Sequence, residues 1–149
     1  MKAESIQLLR KIESKVPHIN SGGCAIFMLA LYHYLKKTEQ LVGDEKFVYL
    51  YNSYEYHSFK RNRKYLNNEK GVSPTSCSHA VLFHDGKYWD SSGGTVDKPY
   101  PIALEIPLEN EAFIYDSISM DAWNPSFDRE TGIKAIESVL NVKINLNFG

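Results

Sequence analysis

The hydrophobic positions of the chain follow two periods, and these periods predict its helices and strands. Between Glu4 and Val16, apolar residues recur at every third or fourth position, which predicts a helix that Pro17 ends. From Cys24 to about Leu35, apolar residues occupy nearly every position, so we predict a helix that is buried on almost all sides and ends near Lys36-Lys37. A polar, glycine-containing turn comes directly before this second helix.

Strands are predicted where aromatic and β-branched residues cluster or alternate with polar ones. Lys46–Tyr51 is such a segment. Two further apolar runs flank Asp85-Gly86, which is a strong signal for a two-residue hairpin turn and would place Leu82 opposite Trp89. Weaker patterns predict a strand over Ile102–Ile106, a helix beginning near Asn124–Ser126 and a half-buried strand over Val142–Leu146.

Composition limits the class of protein. With 149 residues and 43% hydrophobic residues, we expect one α+β domain over residues 1–149. A net charge of −1 gives no drive toward nucleic acid or an anionic membrane, and no apolar run approaches the roughly 20 residues of a membrane span. The start of the chain is charged and amphipathic and does not resemble a signal peptide, so we expect a cytoplasmic protein.

The junction between the polar turn and the buried helix carries a cysteine, Cys24. Backbone N–H groups without helical partners and the helix dipole favour an anion at such a position, so a thiol there can react as the thiolate. The alternative is that Cys24 is a small buried hydrophobic residue. In an oxidising compartment it could instead form a disulfide with Cys77, the other cysteine of the chain.

The predicted hairpin brings two further reactive side chains together. Because side chains alternate along a strand, the Asp85-Gly86 turn places His79 and Asp90 on one face as diagonal neighbours, within about 7–8 Å. The carboxylate can then reach the imidazole. A cysteine at a helix start with a histidine and an aspartate is the arrangement of an activated thiol, in which the histidine takes the proton and the aspartate orients the histidine.

Three motifs occur in a characteristic order along Ile19–Gly94. They are Gly22-Gly23-Cys24 at the start of a buried helix, Ser78-His79-Ala80-Val81 at the start of a strand, and Tyr88-Trp89-Asp90-Ser91 on the next strand. In these motifs the chain resembles the papain-like thiol hydrolase superfamily, especially its compact bacterial and phage branches of cell-wall endopeptidases and transglutaminase-like proteins. It lacks the Cys-Gly-Ser-Cys-Trp motif of papain itself.

The resemblance implies a papain-like fold in which the helix with Cys24 packs against an antiparallel sheet with His79 and Asp90. It implies a cysteine peptidase or amidase with these three catalytic residues, no cofactor, and a peptide, protein or cell-wall peptide as substrate. It also implies an oxyanion site made by the Cys24 backbone N–H and a side chain just upstream. Asn20 is the best-placed amide for that role, and His18 is an alternative.

Other interpretations start from the same residues. A transglutaminase-like or deamidating enzyme would use the same triad, and an inactive papain-like module would only bind a protein. The basic and aromatic segment Tyr54–Lys70 could contact nucleic acid, although such runs are more often solvated surface. A zinc site is disfavoured because there is no Cys-x-x-Cys pair, and the candidate ligands His79 and His84, which Cys24 and Cys77 would complete, point to opposite faces. We therefore expect no metal.

Overall fold

Helices and an antiparallel sheet make up the described chain, which has the predicted α+β class. The computed structural model describes residues 1–16, 19, 23–51, 79–96, 102–107 and 128–144. The elements in chain order are α1 (Ala3–Lys15), α2 (Cys24–Lys37), β1 (Lys46–Tyr51), β2 (His79–His84), β3 (Lys87–Trp89), β4 (Thr95–Val96), β5 (Ile102–Pro107) and α3 (Arg129–Leu140). Within these ranges, the helices are too short or too polar to cross a membrane.

The five strands form one sheet with the order β4-β3-β2-β1-β5, and every neighbouring pair is antiparallel. Strand β1 lies between β2 and β5, with Val48 opposite Val81 of β2. Strand β4 was not predicted, because two residues, Thr95 and Val96, are too few to give a periodic pattern. They pair with β3 and extend the sheet beyond the hairpin.

The β2–β3 hairpin has the predicted register, with Leu82 opposite Trp89. Asp85 and Gly86 have φ values of 52° and 74°, the two positive values that a type I′ turn requires. Asp44 binds this turn from outside, because its two carboxylate oxygens accept the backbone N–H groups of residues 85 and 86 at 3.0 Å each. The hairpin is therefore held by its own turn and by the loop before β1.

The main core forms where α2 covers one face of the sheet. Ala80 and Leu82 of β2 contribute to this core from the sheet. Helix α3 packs against both α2 and α1, and α1 and α3 add Leu9 and Ile136, both with no exposed surface. The buried residues of α2 are Ala25, Ile26, Phe27, Met28, Leu29, Ala30, Leu31, Tyr32, Tyr34 and Leu35. The helix is buried almost all round, as its sequence predicts.

Alternation places a second set of side chains on the opposite face of the sheet. Val48, Leu50 and Val81 are fully buried there, with Phe83 and Tyr88 partly buried beside them. This is the face that the sequence pattern assigns to His79 and Asp90. The two faces of the hairpin therefore have different neighbours.

Towards the C-terminus the predictions hold only in part. Helix α3 has Asp128 as its N-cap, whose side chain accepts the Thr131 N–H at 3.2 Å, and the predicted start near 124–126 lies outside the described residues. We predicted a strand over Val142–Leu146. Residues 142–144 have no regular secondary structure, and residues 145 and 146 lie outside the described residues.

A buried acid–histidine pair joins the loop before β1 to the end of β2. Glu45 Oε1 lies 3.2 Å from His84 Nδ1, and each side chain is only 1% exposed. The Glu45 carboxylate also accepts the backbone N–H of Val42 at 2.5 Å and of Gly43 at 2.9 Å. These bonds satisfy the buried carboxylate, and its removal would leave several donors unpaired.

We expect Glu45→Ala to destabilise the chain by about 3–5 kcal/mol, the usual cost of breaking a buried pair from one side. Urea unfolding of the variant measures this loss. Glu105→Ala is the control, because Glu105 pairs with Lys46 at the surface, where the side chains are 39% and 44% exposed and such a pair contributes about 0–1 kcal/mol. Equal losses of unfolding free energy in Glu45→Ala and Glu105→Ala would contradict a larger contribution from the buried pair.

Candidate active site

Cys24 is the first residue of α2 and carries a free, half-buried thiol. The N-cap is Gly23, which has no side chain to offer, and its carbonyl accepts the Phe27 N–H at 2.9 Å. The N–H groups of the first turn have no partner within the helix. Because the rest of α2 is buried, the thiol and these N–H groups have a fixed position at the helix start.

His79 is the first residue of β2 and forms a hydrogen bond with Asp90. Its Nε2 lies 3.0 Å from Asp90 Oδ2, and the two side chains are 16% and 9% exposed. This is the hydrogen bond that the hairpin register predicts. It joins the beginning of β2 to the residue that directly follows β3.

The second oxygen of Asp90 has its own donors. Oδ1 accepts the backbone N–H of Ser92 at 2.9 Å and also contacts the Ser92 hydroxyl. One oxygen is thereby engaged by Ser92 and the other by His79. The sequence pattern placed Ser92 on this face, but alternation alone gives no sign of its bonds to Asp90.

The Cys24 side chain also lies close enough to His79 to raise the pKa of the imidazole. Since Nε2 faces Asp90, Nδ1 is the ring nitrogen left for the thiol. Helix α2 covers the opposite face, that of Ala80 and Leu82, so the two residues meet at the end of the sheet, where α2 and β2 both begin. The helix start does not lie across the hairpin face, as a simple helix-on-sheet arrangement would have placed it.

The electrostatics of the site favour a charged pair. Burial by itself lowers the pKa of His79, but hydrogen bonds to Asp90 and Cys24 and the negative charge at both residues raise it from 6.5 to about 9. Burial would raise the pKa of Asp90, but hydrogen bonds from His79 and Ser92 and the charge of His79 lower it below 3.8. At neutral pH the histidine is therefore an imidazolium beside a carboxylate.

The remaining predicted residues are not brought into this arrangement by the described structure. Asn20 and His18, the candidates for a side-chain oxyanion donor, lie outside the described residues, as do Cys77 and the segment Tyr54–Lys70. The backbone N–H of Cys24, the other predicted oxyanion donor, is within the described residues. His84 belongs to the buried pair with Glu45, so it is not part of a zinc set with Cys24 and His79.

One group of side chains in the described ranges could hold a metal ion. Candidate ligand atoms of Asp44, Glu45 and His84 all lie within 4.8 Å of one another. Their hydrogen bonds already account for this proximity: Asp44 accepts the N–H groups of residues 85–86, and Glu45 binds His84 and residues 42–43. These bonds explain the group as the connection between the loop before β1 and the β2–β3 hairpin.

We expect NMR titration of the His79 ring to give a pKa of about 9 and Asp90→Asn to lower it, because the substitution removes the negative charge that stabilises the imidazolium. A wild-type pKa near 6.5, or one that Asp90→Asn leaves unchanged, would contradict the charged pair.

Comparison with known proteins identifies no relative from which the role of the site could be inferred. No protein-family model, no curated protein and no solved structure matches the chain. The family resemblance therefore rests on the three short motifs, and the chemistry has to be inferred from the positions of Cys24, His79 and Asp90.

Proposed function

We propose that this chain is a cysteine hydrolase, a peptidase or amidase that cleaves an amide bond through Cys24, His79 and Asp90. The observation that supports it most directly is a single imidazole that forms a hydrogen bond with a carboxylate and has its pKa raised by the thiol at a helix start. This is the arrangement by which enzymes activate a thiol nucleophile. The motif resemblance to papain-like thiol hydrolases points to the same reaction class.

In this mechanism the Cys24 thiolate attacks the carbonyl carbon of the amide and forms a C–S bond. The negative charge that develops on the carbonyl oxygen is stabilised by the backbone N–H at the start of α2. His79 donates its proton to the nitrogen as the C–N bond breaks, which releases the amine and leaves a thioester. Water then attacks the thioester carbonyl while His79 accepts its proton; the C–S bond breaks, the carboxylic acid product leaves, and the imidazolium and the Cys24 thiolate are regenerated.

The charge state of His79 supports this division of roles. With a pKa of about 9, the ring is protonated at neutral pH and is ready to act as the acid toward a leaving amine. An imidazolium beside a sulfur atom is also an environment in which a thiolate is stabilised. Asp90 keeps Nε2 engaged, which leaves Nδ1 as the ring nitrogen available to the thiol.

The reactivity of Cys24 gives the first test of this function. We expect iodoacetamide to label Cys24 faster than Cys77 at pH 7, because the imidazolium stabilises the attacking thiolate. His79→Ala should slow the labelling of Cys24 and leave that of Cys77 unchanged. Peptide mass spectrometry after timed quenching measures both rates in one sample. Equal rates for the two cysteines, or no effect of His79→Ala, would contradict an activated thiol.

Turnover gives the second test. We expect Cys24→Ala and His79→Ala to abolish amide hydrolysis and Asp90→Asn to reduce it in part, since the amide still bonds the ring but without charge. Loss of the acid–base group alone costs roughly 10²–10⁴-fold. The double variants should lose little more than the single ones, because the three residues act together.

The assay uses a library of peptides and cell-wall fragments, with circular dichroism to check that each variant is folded. Release of an amine fragment indicates a peptidase or amidase, whereas release of ammonia from side-chain amides indicates a deamidase. Equal turnover by the wild type and Cys24→Ala would show that the thiol mechanism is wrong. Absence of turnover, with partner binding that Cys24→Ala does not change, would favour the inactive binding module.

A further inference from the structure

The chain from Asp90 to Gly94 folds back tightly on itself. The Asp90 backbone N–H donates to the Gly94 carbonyl at 3.2 Å, and the Asp90 carbonyl accepts the Gly93 N–H at 3.2 Å. Inside this turn, Asp90 Oδ1 is bound by the N–H and the hydroxyl of Ser92. The backbone and the carboxylate of Asp90 are therefore both held by residues of the same turn.

Helix α1 lies directly against this turn. A Cβ atom at Gly93 would come within 2.9 Å of the backbone N and Cα of Arg10 and of its Cγ, closer than such atoms approach one another. Gly93 also has a φ of +83°, which other residues rarely adopt. Glycine is thus required twice at this position, for the backbone angle and for the contact with α1.

From these two contacts we propose that Ser92 and Gly93 are positioning residues for Asp90: Ser92 fixes the rotation of the carboxylate, and Gly93 seats the turn against α1, so that Oδ2 remains on His79. This inference rests on the proposed function, because positioning Asp90 matters for catalysis only if His79 is the acid–base group. The geometry on which it depends can nonetheless be measured without any substrate.

The physical basis is the freedom of an aspartate side chain. A carboxylate bound through one oxygen can rotate about its terminal bond, so the hydrogen bond to His79 would be present for only part of the time. Bonds from Ser92 to the other oxygen remove that rotation. The titratable side chain that acts on the pair in the described chain is Cys24 of α2, whereas Arg10 of α1 approaches the turn through its backbone and Cγ.

We expect Ser92→Ala to lower the pKa of His79 relative to the wild type, because Oδ1 is then held only by the backbone N–H of residue 92, and the less constrained carboxylate spends less time beside Nε2. A direct electrostatic effect has the opposite sign, since removal of a hydroxyl dipole that points at Asp90 would raise the pKa of His79. Ser92 is exposed, so the substitution does not disturb the core. Ser92→Thr keeps the hydroxyl and should restore the wild-type value.

Titration of the His79 ring by NMR distinguishes the two effects. The proposal is supported if the pKa of His79 falls in Ser92→Ala and keeps its wild-type value in Ser92→Thr. An unchanged or raised pKa of His79, or an equal fall of this pKa in both variants, overturns it.

If a substrate is found, kcat should fall about three- to tenfold in Ser92→Ala with KM unchanged, because the backbone N–H of residue 92 still binds Oδ1. If no turnover is found in the wild type, the proposed function fails while the titration still decides the positioning role.

Gly93→Ala tests the contact with α1, and Gly94→Ala is its matched control, because a Cβ atom at Gly94 would meet nothing within 4 Å. We expect Gly93→Ala to lower the pKa of His79 and Gly94→Ala to leave it unchanged. Equal effects of the two variants, or no effect of either, would refute the part assigned to Gly93. If Gly93→Ala does not fold, the requirement for glycine is met and the Ser92 variants decide the effect on His79.

Discussion

Burial of α2 on nearly every side is the constraint that fixes the rest of the arrangement. A helix with one apolar stripe can rotate or slide at moderate cost, but a helix with apolar residues on all faces has no alternative setting that keeps them from water. Its start is therefore fixed in space, and the residue at that start is Cys24. The helix ends in Lys36 and Lys37, where the chain returns to the surface.

The other half of the site is held mostly by hydrogen bonds. Asp44 binds the turn of the β2–β3 hairpin, Glu45 binds His84 at the end of β2, and Ser92 binds Asp90 after β3. Each acceptor is a carboxylate, which takes its bonds from backbone N–H groups or from side chains. A rigid apolar helix and a hydrogen-bonded hairpin thus meet at one point, where the thiol and the imidazole lie together.

Those parts of this arrangement that depend on local sequence could be predicted, and those that depend on tertiary contacts could not. The turn at Asp85-Gly86 determines the register, so the bond between His79 and Asp90 follows from a dipeptide and the alternation of side chains. Helix α2 follows from an apolar run. By contrast, the contact of Gly93 with Arg10 joins segments far apart in the chain, and no periodicity indicates it. The pairing of Glu45 with His84 is equally non-local.

The contact between Cys24 and His79 lies between these cases. The sequence indicated that Cys24 and His79 would interact but not that they would meet at the end of the sheet. That position follows from packing of α2 on the Ala80–Leu82 face, which depends on how the strands and helices divide the core. The resemblance to papain-like enzymes implied the meeting of the two residues without giving the path by which α2 reaches it.

The bonds of His79 also couple folding to proton uptake. Its pKa is about 9 in the folded chain and 6.5 for a free imidazole, so between these values folding binds a proton from the buffer. The stability that this provides is complete below pH 6.5 and is lost as the pH rises through about 9. Asp90 has the opposite sign, because its lowered pKa contributes above pH 3.8 and is lost as the pH falls through the folded value. Calorimetric unfolding enthalpies near pH 8 will therefore include the ionisation heat of the buffer.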